Sequence, residues 1–83
     1  MVAQDSSIEG IMPEFIYIQL LGEGVRVYRP VPALQIDKSI YLLNGQDIYD
    51  EEDEMWEFLP GTQVRVESRV MDGEQVLVAV SPI

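Results

Sequence analysis

The chain has 83 residues, with 15 Asp or Glu and 5 Lys or Arg, so its net charge at neutral pH is 5 − 15 = −10. A charge of this sign opposes approach to phosphate backbones and anionic membranes, which argues against direct nucleic-acid or membrane binding. The lack of cysteine and histidine excludes disulfides, thiolate nucleophiles, imidazole bases and the usual zinc ligands. Because no basic leader and no apolar run of membrane-spanning length occurs, we predict a cytoplasmic protein.

The first strand-like pattern follows Pro13. Residues 1–12 are predicted to be a disordered extension, and residues 13–83 a single domain. Residues 14–21 are rich in β-branched and aromatic types and predict a strand. Residues 25–29 alternate apolar and basic side chains, but Pro30 and Pro32 follow. Since proline has no N–H to donate, these predict an edge or bent strand that continues irregularly to about residue 36.

The second half of the chain alternates short apolar runs with turn signals. Residues 39–43 predict a third strand, Asn44-Gly45 a type I′ hairpin turn, and residues 46–49 its returning arm. After a Pro60-Gly61 turn, residues 62–70 alternate with a period of two. Residues 71–74 predict a second hairpin turn, and residues 75–80 a strand that is apolar on both faces. The sequence therefore predicts an all-β fold, a small five- or six-stranded SH3-like or OB-like barrel.

An acidic run leads directly into the only tryptophan of the chain. Five carboxylates from Asp50 to Glu54 repel one another, whereas Trp56 and Phe58 favour burial. We predict that the two aromatic residues fill the core together with Ile16, Ile18, Val64, Val66 and Val78; an exposed Trp56 at an interface is the alternative. For the carboxylates, a solvated loop and a protein-interaction surface both remain open.

Other candidate sites carry weaker signals. Asp47, Glu57 and the acidic run offer oxygen ligands for weak cation binding, but EF-hand spacing is missing, so no metal site or cofactor is predicted. Four arginines lie on two alternating segments and could neutralise the acidic loop if those segments pair: Arg26, Arg29, Arg65 and Arg69. An anion site made by Arg26 and Arg29 is the sharper alternative.

No recognisable catalytic motif is present. Ser39 and Ser68 have no histidine base, Lys38 lacks a Ser-x-x-Lys context, and Gly22-Glu23-Gly24 is too short for a phosphate-binding loop. We therefore predict that the protein is not an enzyme. A hydrolase that uses a pair of carboxylates stays formally open, although a chain this short offers little room for a substrate cleft.

Two segments carry a resemblance. Residues 24–31 contain an aromatic-Arg-Pro sequence at Tyr28-Arg29-Pro30, and residues 56–61 read Trp-Glu-Phe-Leu-Pro-Gly. In these the chain resembles a group of small uncharacterised bacterial proteins that share aromatic-Arg-Pro and Trp-Glu-Phe-x-Pro-Gly segments. The resemblance spans residues 14–80 and implies a bacterial origin.

These observations favour a non-enzymatic protein-interaction domain that presents an acidic loop to a basic surface of an unknown protein partner. The candidate interaction residues are Asp50, Glu51, Glu52, Asp53, Glu54, Trp56 and Glu57. The alternative is a nucleic-acid mimic, an inhibitor or immunity-type protein whose carboxylates take the place of phosphates in a basic groove. Competition distinguishes the two, because DNA or RNA would displace a mimic but not an ordinary adaptor.

Overall fold

A computed structural model describes residues 14–83, and the predicted extension at 1–12 lies outside the described residues. Five strands form a closed barrel: β1 (Glu14–Leu20), β2 (Val27–Asp37), β3 (Ile40–Leu43), β4 (Gln63–Met71) and β5 (Glu74–Pro82). Each strand pairs antiparallel with the next, so β1 and β5 run in the same direction. They close the barrel in parallel, through Tyr17 and Val78.

The all-β barrel predicted from the sequence is confirmed, with five strands. Its strand order is consecutive, β1-β2-β3-β4-β5, which is a meander. An OB-like barrel is a Greek key, so the meander sets that alternative aside. Among residues 14–83 no helix is long and apolar enough to span a membrane.

β2 runs through two prolines without a break. Pro30 and Pro32 pair with Tyr17 and Phe15 of β1. The C=O of Pro32 accepts a hydrogen bond from the N–H of Asn44, 2.9 Å away, on the side opposite β1. Since the N–H and C=O of one strand residue point to the same side, the missing proline N–H groups cost no bond to β1. β2 pairs with both β1 and β3, so the prediction of an edge strand is wrong, whereas the predicted irregularity is present as a register shift between Gln35 and Asp37.

The first predicted hairpin turn does not form. Gly45 has a positive φ of 100°, but Asn44 does not, so the pair cannot make a type I′ turn, which needs both. The N–H groups of Ile48 and Tyr49 bond to the C=O of Gly45, and residues 46–49 form a turn instead of a returning strand. The second prediction is confirmed: Asp72 and Gly73 both have positive φ and connect β4 to β5.

The barrel interior contains most of the predicted core. Its buried apolar side chains are Ile16, Ile18, Leu20, Val31, Ala33, Tyr41, Leu43, Trp56, Val64, Val66 and Ala79. Phe58 is half-buried and packs against this cluster. Val78 is buried as well, although it alternates with Ala79 and so faces away from the cluster. The far part of β4 extends past the core, which leaves Val70 72% exposed.

Candidate functional site

The connection between β3 and β4 concentrates the negative charge of the chain. Residues 44–62, named the acidic segment from here on, contain no Lys or Arg. They hold 7 of the 15 carboxylates: Asp47, Asp50, Glu51, Glu52, Asp53, Glu54 and Glu57. The segment therefore carries a formal charge of −7, more than half of the net −10.

The acidic run is folded into a single turn. The N–H groups of Asp53 and Glu54 bond to the C=O of Asp50, each at 3.0 Å. The Asp50 side chain closes the same turn, because its Oδ1 accepts the N–H of Glu52 at 3.0 Å. Aspartate favours such turns because its short side chain reaches a backbone N–H two residues on. The side chains of Asp50 to Asp53 are all exposed.

Trp56 fixes the acidic segment to the barrel. Its side chain is only 2% exposed, and its ring contacts Tyr49 with centroids 4.8 Å apart. A Cβ added at Gly45 would lie 3.2 Å from the ring, so the backbone there passes closer to the indole than any other residue would allow. Trp56 also forms a bridge with Leu20 at the end of β1. The acidic turn thus lies between two ordered aromatic residues.

Backbone hydrogen bonds continue the attachment on both sides of Trp56. The N–H of Leu21 donates to the C=O of Met55 at 2.7 Å, and the N–H of Glu57 donates to the C=O of Gln19 at 2.9 Å. At the far end, Pro60 and Gly61 make the predicted turn, in which the N–H of Thr62 bonds to the C=O of Leu59. The segment is therefore held at its start, middle and end.

Glu54 differs from its neighbours because it points inward. Both its carboxylate oxygens lie 3.1–3.2 Å from Nη1 of Arg29, and its Oε1 accepts the indole N–H of Trp56 at 3.0 Å. The side chains of Arg29 and Glu54 are 36% and 26% exposed, so solvent partly screens the ion pair. Nε of Arg29 is buried without a hydrogen-bond partner among the described residues, which offsets part of the gain.

The predicted interaction residues therefore divide into two groups. Asp50 to Asp53 and Glu57 are exposed and accessible to a partner. Trp56 fills the core, as predicted, and in this position it cannot be an exposed interface residue. Glu54 is committed to Arg29 and Trp56, so it orients the segment rather than presenting a free carboxylate.

The four arginines do not share the common basic face considered from the sequence, although Arg26 and Arg69 line one cavity together with Glu57. β3 lies between β2 and β4, so the two arginine-bearing strands do not pair. Arg29 lies opposite Ile18, on the core side of β2, and is the residue that neutralises part of the acidic segment. Arg69 pairs with Glu67 at 3.0 Å on the surface. Arg26 lines an outer groove, so an anion site made with Arg29 is not formed.

The outer groove lies between the β1–β2 and β4–β5 hairpins. It consists of two adjoining cavities of about 180 and 420 Å³ that share Arg26 and Tyr28. Arg69 and Glu57 line the first cavity, and Glu74 lines the second. Charges of both signs therefore line the groove, which does not select one class of ligand. Among residues 14–83 no group of three or more carboxylates converges closely enough to hold a metal ion.

Sequence reasoning missed the internal Arg29–Glu54–Trp56 contacts and the outer groove, because both join residues far apart in the chain. It also missed an apolar outer surface on β2. A signal for that surface was present: residues 30, 32, 34 and 36 are all apolar, as are residues 31 and 33 between them. Both faces of this strand are apolar, although only one faces the core.

Comparison of the chain with protein families, curated proteins and solved structures gave no match. The resemblance to a group of small bacterial proteins therefore stays a prediction.

Proposed function

We propose that the protein is a non-enzymatic, cytoplasmic protein-interaction domain whose acidic segment binds a basic surface of another protein. The observation that carries this proposal is the exposed acidic turn, Asp50 to Asp53, which is held at a fixed place on the barrel. Its four carboxylates are consecutive, and the only cation paired with the acidic segment in the described part of the chain is Arg29, on Glu54.

Concentrated charge of one sign acts mainly on the encounter between proteins. Carboxylates that lie within the ~8 Å screening length of one another add their fields, and the sum attracts a cationic surface before contact. Anchoring by Trp56 adds to this, because a charge pattern already in place loses less conformational entropy on binding. The acidic segment combines both properties.

Repulsion within the turn has a cost in the free protein. Like charges on adjacent residues destabilise the folded state, and no cation in residues 44–62 relieves them. Glu54 is the exception, because its charge is used inside the fold. Charge removal at the exposed positions should therefore weaken partner binding without weakening the fold, whereas removal at Glu54 should weaken the fold.

The test compares Glu51→Gln/Glu52→Gln/Asp53→Asn with the wild type. Pull-down from the native host identifies the partner, and stopped-flow mixing then measures association at low and high salt. We expect the triple variant to associate more slowly and with a flatter salt dependence, because it has lost three of the exposed charges. Its melting temperature should be unchanged or higher. An association rate equal to that of the wild type at low salt would contradict the proposal.

A further inference from the structure

The outer half of β4 has a strand neighbour on one side only. β5 pairs with β4 from Val64 to Met71, whereas β3 pairs with it only from Gln63 to Arg65. We name residues Glu67–Met71 the open strip. Residues 67–70 are all exposed, and Val70 has 72% of its surface in contact with solvent. The barrel is thus closed by its inner strand halves, while the end of the β4–β5 hairpin extends past the β3 side.

The open strip presents free backbone groups to solvent. Val66 donates its N–H to the C=O of Ser39 at 2.9 Å, on the side of β4 where β3 lies. Backbone groups of every second residue in a strand point to the same side, so those of Ser68 and Val70 also point to the β3 side. No backbone group of residues 14–83 bonds to them there. The strip therefore offers two N–H and two C=O groups, which form the edge of a sheet.

This edge lacks the features that usually protect sheet edges from pairing. Natural edges carry lysine, proline or a bulge, or are covered by another segment. The open strip contains neither lysine nor proline, and the register shift of β4 lies before it, between Arg65 and Val66. Its two charges, Glu67 and Arg69, form an ion pair at 3.0 Å and cancel locally. The edge is therefore available for a further strand.

A second copy of the chain fits this edge poorly. The antiparallel pairing that uses all four free groups of each copy places Ser68 opposite Val70 and Arg69 opposite Arg69. Like charges directly opposite each other destabilise a sheet. A shift that places Arg69 opposite Glu67 also places Val70 opposite Val66, whose N–H is already bonded. The opposite shift moves Ser68 past the end of the strand, beside the hairpin turn, so each shift loses backbone bonds.

An extended segment with a different charge order satisfies the edge without this conflict. We propose that the open strip binds an extended segment of another protein as an added antiparallel strand. Such a segment carries an acidic residue opposite Arg69, a basic residue opposite Glu67, and β-branched residues opposite Ser68 and Val70. The open strip lies outside residues 44–62, so this binding does not depend on the proposed function.

The test uses short synthetic peptides with capped ends, which carry no terminal charges. In antiparallel pairing from Met71 back to Glu67, the matched peptide Thr-Val-Glu-Val-Lys places its Glu opposite Arg69 and its Lys opposite Glu67. The exchanged peptide Thr-Val-Lys-Val-Glu has the same composition and places like charges opposite each other. An NMR titration that follows the amide signals of Ser68 and Val70 measures the affinity of both.

We expect the wild type to bind the matched peptide at least about threefold more tightly than the exchanged peptide. The variant Glu67→Arg/Arg69→Glu keeps the net charge and the ion pair, and it should reverse this preference. Equal affinity of the wild type for the two peptides, no binding of either, or an unchanged preference in the variant would overturn the inference.

A proline pair tests the backbone bonds. Val70→Pro removes an N–H that points away from β5, so the pairing of β4 with β5 keeps its bonds. Gln75→Pro is the matched control, because Gln75 lies opposite Val70 and its N–H points to the other edge of the hairpin. Val70→Pro should weaken the matched peptide at least about tenfold, and Gln75→Pro should retain its binding; equal losses would contradict the proposal. Circular dichroism verifies the fold, and Glu67→Arg/Arg69→Glu decides the matter if either proline variant unfolds.

Amide hydrogen exchange distinguishes the other occupants. We expect the amides of Ser68 and Val70 to exchange rapidly in the free protein at every concentration and slowly with the matched peptide bound. Protection in the dilute free protein would assign the edge to residues 1–13 of the same chain. Protection that grows with protein concentration would assign it to a second copy. Either result would overturn the inference.

Discussion

Replacing Trp56 with Ala should remove a large part of the stability of the domain. The side chain is 2% exposed, so nearly all of its surface, about 150–250 Å² for an aromatic residue, is buried. At about 25 cal/mol per Å² this amounts to about 4–6 kcal/mol, and large-to-small core substitutions at Trp cost about 3–5 kcal/mol. An 83-residue domain has a total stability of about 4–12 kcal/mol. Trp56→Ala is therefore expected to remove about a quarter of that stability or more.

Urea unfolding followed by far-UV circular dichroism measures this loss, since the variant has no tryptophan to report by fluorescence. Leu59→Ala is the matched control, because Leu59 belongs to the same segment but is half exposed; we expect it to cost less than about 1 kcal/mol. In the wild type, the emission of Trp56 should be blue-shifted and protected from acrylamide. An unchanged urea midpoint in Trp56→Ala, or freely quenched native emission, would contradict the buried position of this side chain.

Four further outcomes are expected. Gly45→Ala should destabilise by about 1–3 kcal/mol more than Gly24→Ala in urea unfolding, since both have positive φ but only at Gly45 does a Cβ approach Trp56 and Val31; equal losses would contradict this. Glu54→Gln should lower the melting temperature, whereas neutralising exposed Glu51 should not; a higher value for Glu54→Gln would be inconsistent with its inward role. Burial, followed by the hydrogen bond and the charge of Glu14, raises the pKa of Tyr41 from 10.0 to about 12. The folded state therefore favours the neutral phenol, and its contribution to the free energy of unfolding is complete below pH 10 and is lost between pH 10 and 12. Tyr41→Phe should flatten the dependence of stability on pH in that window, and a retained slope would contradict this. The protein should show no measurable affinity for DNA or RNA at physiological salt, which filter binding checks, and a steep salt-dependent affinity would overturn this expectation.

Several features of this protein follow from the local sequence alone, without any tertiary contact. The alternation in residues 62–70, the Asp72-Gly73 turn and the Pro60-Gly61 turn depend on side-chain period and on φ preferences, which neighbouring residues set. The core prediction succeeded for the same reason, because Ile16, Ile18 and Val64 lie on the apolar side of clear strands. The negative charge of residues 44–62 is likewise a property of composition alone.

Other features depend on the tertiary structure, because the local sequence alone indicates a different conformation or does not distinguish between residues. Asn44-Gly45 has the composition of a hairpin turn. In the fold, however, Gly45 allows the backbone to pass close to the Trp56 ring, where a Cβ would lie only 3.2 Å away. Pro30 and Pro32 indicate a strand break, yet β1 pairs with them on the side where no N–H is needed. Glu52 and Glu54 belong to the same acidic run. Only Glu54 points inward, because the fold brings Arg29, 25 residues away in sequence, within 3.1 Å of its carboxylate. The sequence can specify charge and period, but barrel closure selects which carboxylate points inward and which apolar strand face remains exposed.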